Sequence, residues 1–405
     1  MQAVSQRASI ETCLVQGDND GFSFWKLPDQ WRTSLRDQIA QSRDYAEHYL
    51  FERYLPAKRR HPSEQLKAYY LLRRFLPKPI RHQLNELAIR LRKPPTFPAW
   101  PIEPTLVDFW RSWAHQMLEA FGVDDQWHIG FWPDGNDRCI VLTHDVETAA
   151  GMNRIEMMCD LEAKYGFRSS WNLPLEQFHP IDWKLVDKLR RRGFEIGSHG
   201  LSHNGKLFKS HRDFLALAPH LERLSRRYDL VGFRSPGTLR QAEWIQTMSI
   251  DFDESFCDTE PWEPQAGGTC SIFPFFLGPV VELPYTLPQD HTFINVLKRE
   301  PMPVWDQKID WLAQHGGMIL TLTHPDYVGM PQHIRKYEEL LQRLNNLEAA
   351  WRALPSQVAS WWRQRAGLSL SVKDDRPTVT GADTEGAVAR RLSSEPLFQS
   401  ASFAL

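Results

Sequence analysis

Cysteine is scarce in this 405-residue chain. The five that occur, Cys13, Cys139, Cys159, Cys257 and Cys270, are odd in number and never stand at a Cys-x-x-Cys spacing. That argues against a disulfide framework and fits a reducing compartment. Long hydrophobic runs are missing as well. None approaches the roughly 18 residues of a membrane span, so no transmembrane helix is expected. Met1 to Asp20 has no basic stretch followed by an apolar one. No secretory signal is therefore expected, and a cytoplasmic location is predicted. An excess of one charge is missing too: the net charge of −2 gives the whole chain no general attraction for nucleic acid. No internal repeat occurs.

What is present is the composition of a globular protein, 42% hydrophobic and 24% charged. The length suits two or three domains. There are 16 Trp. Indole rings stack on the apolar faces of sugars, and they serve equally in cores and domain seams.

The chain changes texture three times. Residues 1–20 are polar and aperiodic, a loose arm. Residues 28–100 carry apolar side chains at helical spacing: Trp31, Leu35 and Ile39, then Leu66, Tyr69, Tyr70 and Leu76, then Leu84 to Leu91, stopped by Pro94 and Pro95. Residues 1–105 thus read as a mainly α-helical N-terminal region. Between Lys58 and Lys93 it holds 11 Lys and Arg against only Glu64 and Glu86. Such a segment suits an anionic membrane surface or an anionic carrier, and a solvated helical face is the alternative.

From residue 106 apolar runs alternate with helix-like stretches. The expected strands are 139–146, 167–173, 194–198, 230–234, 252–257, 280–285 and 318–323. The expected helices are 149–165, 183–192, 212–227, 241–248, 305–314 and 333–351. This alternation predicts an α/β domain over 106–366, with mostly parallel strands and a site at their C-terminal ends. After Gly367 the composition turns to Ser, Thr, Asp and Gly, and residues 367–405 read as a disordered tail.

The strand ends carry the chemistry. The first leaves an apolar run at Thr143-His144-Asp145-Val146-Glu147. Two carboxylates at the end of a buried strand are costly unless a metal, a cation or a reaction uses them. The third strand runs into His199-Gly200-Leu201-Ser202-His203, whose two imidazoles converge on one ion if the loop turns helically. The fourth ends at Arg234-Ser235-Pro236-Gly237, and an Arg leaving a buried strand needs an anion, for which Asp145 is the natural partner. The last ends at Leu322-Thr323-His324, where the His is placed to act as a general acid or to serve a structural role. Asp258 follows the fifth strand and is expected to orient His324, with Asp253 as its rival. Gln289-Asp290-His291-Thr292 is a polar cluster that either faces substrate or caps a helix.

Over residues 136–330 these stretches, in this order, resemble the motifs of the polysaccharide deacetylase family (chitooligosaccharide deacetylase-like carbohydrate esterases). The resemblance implies a distorted (β/α)7-type barrel, a divalent metal and hydrolysis of N-acetyl groups on amino sugars. It implies Asp145 as catalytic base, His199 and His203 as metal ligands, His324 as acid and Arg234 as the cation that steadies the base. Two positions depart from the family pattern. Val146 stands where a second Asp, usually a ligand, is expected, so Glu147 takes that place as third ligand; side chains two apart on a strand share a side. Gly200 stands where the family prefers Ser or Thr. Zn2+ is the expected ion, with Co2+, Ni2+ or Mn2+ as alternatives. The expected substrate is an N-acylated amino sugar in a glycan or glycan precursor. A lipid-linked precursor would bring the basic 58–93 segment to the inner membrane face. A metal-independent cyclic amide hydrolase resembling allantoinases, and a non-catalytic glycan-binding protein on the same barrel, are the alternatives.

Overall fold

The computed structural model describes residues 17–56, 95–176 and 181–393. Twelve strands are described: β1 (Asp125–Ile129), β2 (Arg138–Asp145), β3 (Ser169–Leu173), β4 (Glu195–Ser198), β5 (Phe252–Asp253), β6 (Phe275–Leu277), β7 (Val280–Glu282), β8 (Met318–Thr323), β9 (Ala350–Ala353), β10 (Ser369–Lys373), β11 (Arg376–Thr380) and β12 (Ala389–Ser393).

β2 is the central stave. Seven of its eight residues are buried, as expected of a parallel strand covered on both faces. On one side it pairs with β8, from Cys139↔Met318 to His144↔Thr323. On the other it pairs with β9 along its first half and with β3 along its second. β3 continues to β4. Beyond β4 the ladder thins to single parallel bridges, Ser198↔Phe233 and Phe233↔Asp253. β5 then pairs in parallel with β7, and the chain past β7 returns to β8 through Leu287↔Thr321. The ring closes as an α/β barrel of parallel staves. The expected fourth strand over 230–234 survives only as the Phe233 bridge, because Gly232 turns the chain through positive φ there.

Helices cover the ring. His211–Arg227 shows why they form: Ser210 caps it through the Asp213 amide at 3.1 Å. Phe214, Ala218, Leu221 and Ser225 make its buried stripe. Each large apolar side chain so buried contributes roughly 1.5–3 kcal/mol. The helix expected over 333–351 ends earlier, at Asn345, and Trp351 lies in β9.

The N-terminal helices Gly21–Trp25, Arg36–Leu50 and Thr105–Phe121 share one apolar core with barrel residues such as Phe233, Ile245 and Phe256. Glu52 pins this layer to the barrel by two bonds from the Arg240 guanidinium, at 2.6 and 2.9 Å, with both side chains buried. The helices expected around Leu66–Leu76 and Leu84–Leu91, and the basic segment 58–93, lie outside the described residues. Among the described residues no helix is long and apolar enough to cross a membrane.

The expectation of a disordered tail from 367 is corrected over residues 369–393. β10 and β11 form a hairpin in which Lys373 pairs with Arg376. Its two loop residues, Asp374 and Asp375, take positive φ, as a two-residue turn requires. β12 pairs antiparallel with β1. Leu368 and Leu370 pack with Ile129, and Leu392 is buried. These apolar positions recur at a period of two within a polar composition, a pattern too short to stand out against the Ser, Thr and Asp around it.

Candidate metal centre and catalytic site

Asp145 ends β2 and is buried. One carboxylate oxygen accepts from Arg234 Nη1 at 3.1 Å and from Asn172 Nδ2 at 3.2 Å. The other lies 3.7 Å from His199 Nδ1. Burial alone would raise its pKa, but His199, Arg234 and His324 outweigh burial and hold the carboxyl below its usual value. Arg234 is fixed by its Nε bond to the Glu254 carbonyl at 2.8 Å, and its Nη2 lies 3.6 Å from the Glu254 carboxylate. Asn172 also donates to Glu254 at 3.1 Å. Gly197 makes room for Asn172, since a Cβ there would meet the amide oxygen at 2.0 Å.

Glu147 follows one residue beyond the buried Val146. Its amide donates to the Asp326 carboxylate at 3.1 Å, and Thr148 Oγ1 donates to the same group. The Glu147 carboxylate reaches His203 Nε2 at 2.8 Å and lies 3.9 Å from His324 Nε2. Tyr327 also donates to it, at 3.4 Å. Burial works against its charge, but His203 and the other imidazoles hold it well below the carboxylate range.

His199 is buried and donates from Nδ1 to the Arg234 carbonyl at 3.0 Å. That bond fixes the tautomer and leaves an electron pair on Nε2. Nε2 is buried and has no hydrogen-bond partner. Burial pushes the imidazole down to about 4, so it is neutral at physiological pH. Gly200 turns the chain toward His203 at φ +73°, where a Cβ would stand 3.0 Å from Pro236. The backbone conformation thus accounts for Gly where the family motif has Ser or Thr.

Ligand atoms of Glu147, His199 and His203 all lie within 4.8 Å of one another. The orphaned Nε2 and a donor set of two imidazoles and one carboxylate fit a divalent ion.

His324 directly follows β8. Asp290 accepts from its Nδ1 at 2.7 Å with one oxygen and from its backbone amide at 2.9 Å with the other. Burial disfavours the imidazolium, but the charge and hydrogen bond of Asp290, with Glu147 and Asp145 behind them, push its pKa up to about 10. Nε2 is left on the side of the Glu147 carboxylate, 3.9 Å away.

Six of the seven residues singled out in the sequence, Asp145, Glu147, His199, His203, Arg234 and His324, are thus brought together. Asp258 is not. It pairs with the buried Lys308, which also bonds the Pro101 carbonyl. A buried ammonium claims the nearest carboxylate, so the expected contact of Asp258 with His324 is corrected to Asp290. Asp253 is likewise engaged elsewhere, with the hydroxyl and amide of Ser255. Asn172 and Glu254 went unnoticed in the sequence. Their signal was a buried amide side chain near the C-terminal end of a strand and a second acid directly after Asp253.

No family model matches the chain, and no curated protein matches it. Solved structures do show likeness. A putative polysaccharide deacetylase from Mycobacterium smegmatis is 16% identical at TM-score 0.45, covering 61% of this chain and 96% of that one. A probable polysaccharide deacetylase from Pseudomonas aeruginosa PAO1 is 14% identical at TM-score 0.45, covering 57% and 93%. An allantoinase is 14% identical at TM-score 0.45, covering 57% and 92%. The function is argued from the site itself.

Proposed function

We propose that the chain is a metal-dependent hydrolase that removes an N-acetyl or other N-acyl group from an amino sugar in a glycan or glycan precursor. The observation that carries the reading is the buried, unpartnered Nε2 of His199, aimed with His203 and Glu147 at one point beside a carboxylate held ionised by Arg234. The motif order in the sequence supports the amino-sugar substrate class. Glu147, His199 and His203 would hold the ion, and Zn2+ suits this donor set. When bound, a divalent ion supplies Lewis acidity to the acyl carbonyl and to the attacking water.

The remaining work falls to side chains. Asp145, kept ionised and fixed in direction by Arg234 and Asn172, takes the proton of the attacking water. His324 holds a proton on Nε2 because Asp290 stabilises its imidazolium, and delivers it to the departing amine. The base is held below and the acid above its ordinary pKa, so both are in the required state near neutral pH. The converging triad favours this reading over a metal-independent cyclic amide hydrolase and over a non-catalytic barrel.

The test is metal analysis of the purified full chain with acyl release on a panel of N-acetylated glycosides and lipid-linked amino sugars. Asp145→Asn should abolish release and keep the metal. Stoichiometric metal without release from any substrate, or release unchanged in Asp145→Asn, would sink the assignment.

A further inference from the structure

A second polar cavity lies between the N-terminal layer and the barrel, sharing no lining residue with the candidate metal centre. Two buried cations line it, Arg365 and Lys26. Arg365 sits in the last turn of the helix Pro355–Ala366. Its guanidinium lies over the rings of Phe131 and Trp362, at 5.0 and 5.3 Å. Nε donates to Gly130 O at 2.8 Å, and Nη2 to Phe24 O at 2.8 Å and Ile129 O at 2.9 Å. Nη1 donates to none of the described residues. Lys26 is held at φ +51° as the C-cap of Gly21–Trp25. Its ammonium spends one proton on Ala366 O at 2.7 Å.

Backbone carbonyls satisfy some of these donors but cancel neither charge. Among the described residues no carboxylate stands at ion-pair distance from Lys26 or Arg365. Asp18, on the cavity wall, pairs with Arg43 at 3.1 Å, and Asp20 caps the Ser23 amide at 2.8 Å. Arg32 adds a third cation to the wall. Two buried cations sharing a cavity without a counter-ion are costly, and an anion between them removes that cost. Burial first, then Arg365 and Arg32, push the Lys26 pKa down to about 8, although Asp29 and Asp20 pull the other way.

We propose that this cavity is a binding site for a small oxyanion, phosphate or carboxylate, free or as the end group of a metabolite, held between Lys26 Nζ and Arg365 Nη1. The planar guanidinium, fixed by aromatic faces and carbonyls, supplies direction, and the lysine supplies a point charge.

The test uses the full chain, stripped of metal with EDTA and then freed of the chelator, so that no anion is drawn to a metal. Thermal unfolding is followed at fixed ionic strength while inorganic phosphate, and separately acetate, is titrated against chloride up to about 10 mM, where ligand linkage predicts a saturable rise in Tm. Lys26→Met should fold, and its response should drop at least tenfold in apparent affinity. Lys206→Met, a surface control, should respond as the parent does. A response to phosphate alone assigns a phosphate group, and an equal response to acetate assigns a carboxylate. A response no greater than that to chloride, or one unchanged in Lys26→Met, would overturn the site. Isothermal titration of phosphate into both proteins gives the same decision without unfolding.

Discussion

Asp290 holds His324 by both oxygens, accepting the ring Nδ1–H at 2.7 Å and the backbone amide at 2.9 Å. The two bonds fix the position of the residue and the charge of its ring together. Asp290→Asn keeps the size and loses the charge. The proposed acyl release should fall by about 10²-fold or more, the range lost with a general acid, while metal content stays unchanged. Asp258→Asn is the contrast: it should cost stability through the stranded Lys308 ammonium and leave the ratio of turnover to metal near that of the parent. Equal turnover in Asp290→Asn and the parent would remove Asp290 from the site.

Two histidines two strands apart separate metal binding from support. His199→Ala removes the imidazole whose Nε2 is unpartnered, so bound metal should be lost in elemental analysis of the purified protein. His144 points to the other face of β2. It stacks on Trp171 at 4.0 Å, contacts Glu162 at 2.8 Å and shares a hydrogen bond with Thr323 at 2.8 Å. His144→Ala should keep the metal and lower the urea midpoint, because it leaves the Glu162 carboxylate buried with one contact fewer.

Glu195 on β4 is buried, and its carboxyl is pushed up to about 7 by burial and by the Glu254 charge, against the bond from the Ser356 amide at 3.4 Å. In the folded state it keeps a proton that the unfolded chain has already released. Stability from this group therefore falls as pH rises from its ordinary 4.5 to about 7 and stays lowered above that. Glu195→Gln removes the penalty. Its stability relative to the parent should improve between pH 5 and pH 8 by on the order of 2 kcal/mol, read from urea unfolding at the two pH values. A difference independent of pH would show that Glu195 is ionised in the fold.

Glu52 is the ionic tie between the N-terminal helices and the barrel. Glu52→Ala strands the fully buried Arg240 guanidinium and should cost about 3–5 kcal/mol, the range for removing one partner of a buried pair. Chemical denaturation checks the size. A protein that unfolds in two separate transitions after this change would show that the two layers fold as one unit only through this pair.

The sequence by itself determined the long staves of the barrel and the polar residues at the strand ends. Buried parallel strands must be written as short apolar runs, so Cys139 to Leu142 and Met318 to Leu322 announce themselves. Asp145, Glu147, His199, His203, Arg234 and His324 were legible because charge at the end of such a run has a cost that demands a use. Only the tertiary structure decided which acid serves His324. Asp258 and Asp290 both follow apolar stretches, and the choice rests on where Lys308, from a helix far along the chain, places its ammonium. Tertiary structure also decided that residues 369–393 are ordered, since a short alternating pattern gains stability only when β1 and Ile129 are there to meet it. Through-space pairing selects among candidates that local pattern leaves equal, because the energies that separate them come from charges and surfaces brought together by folding.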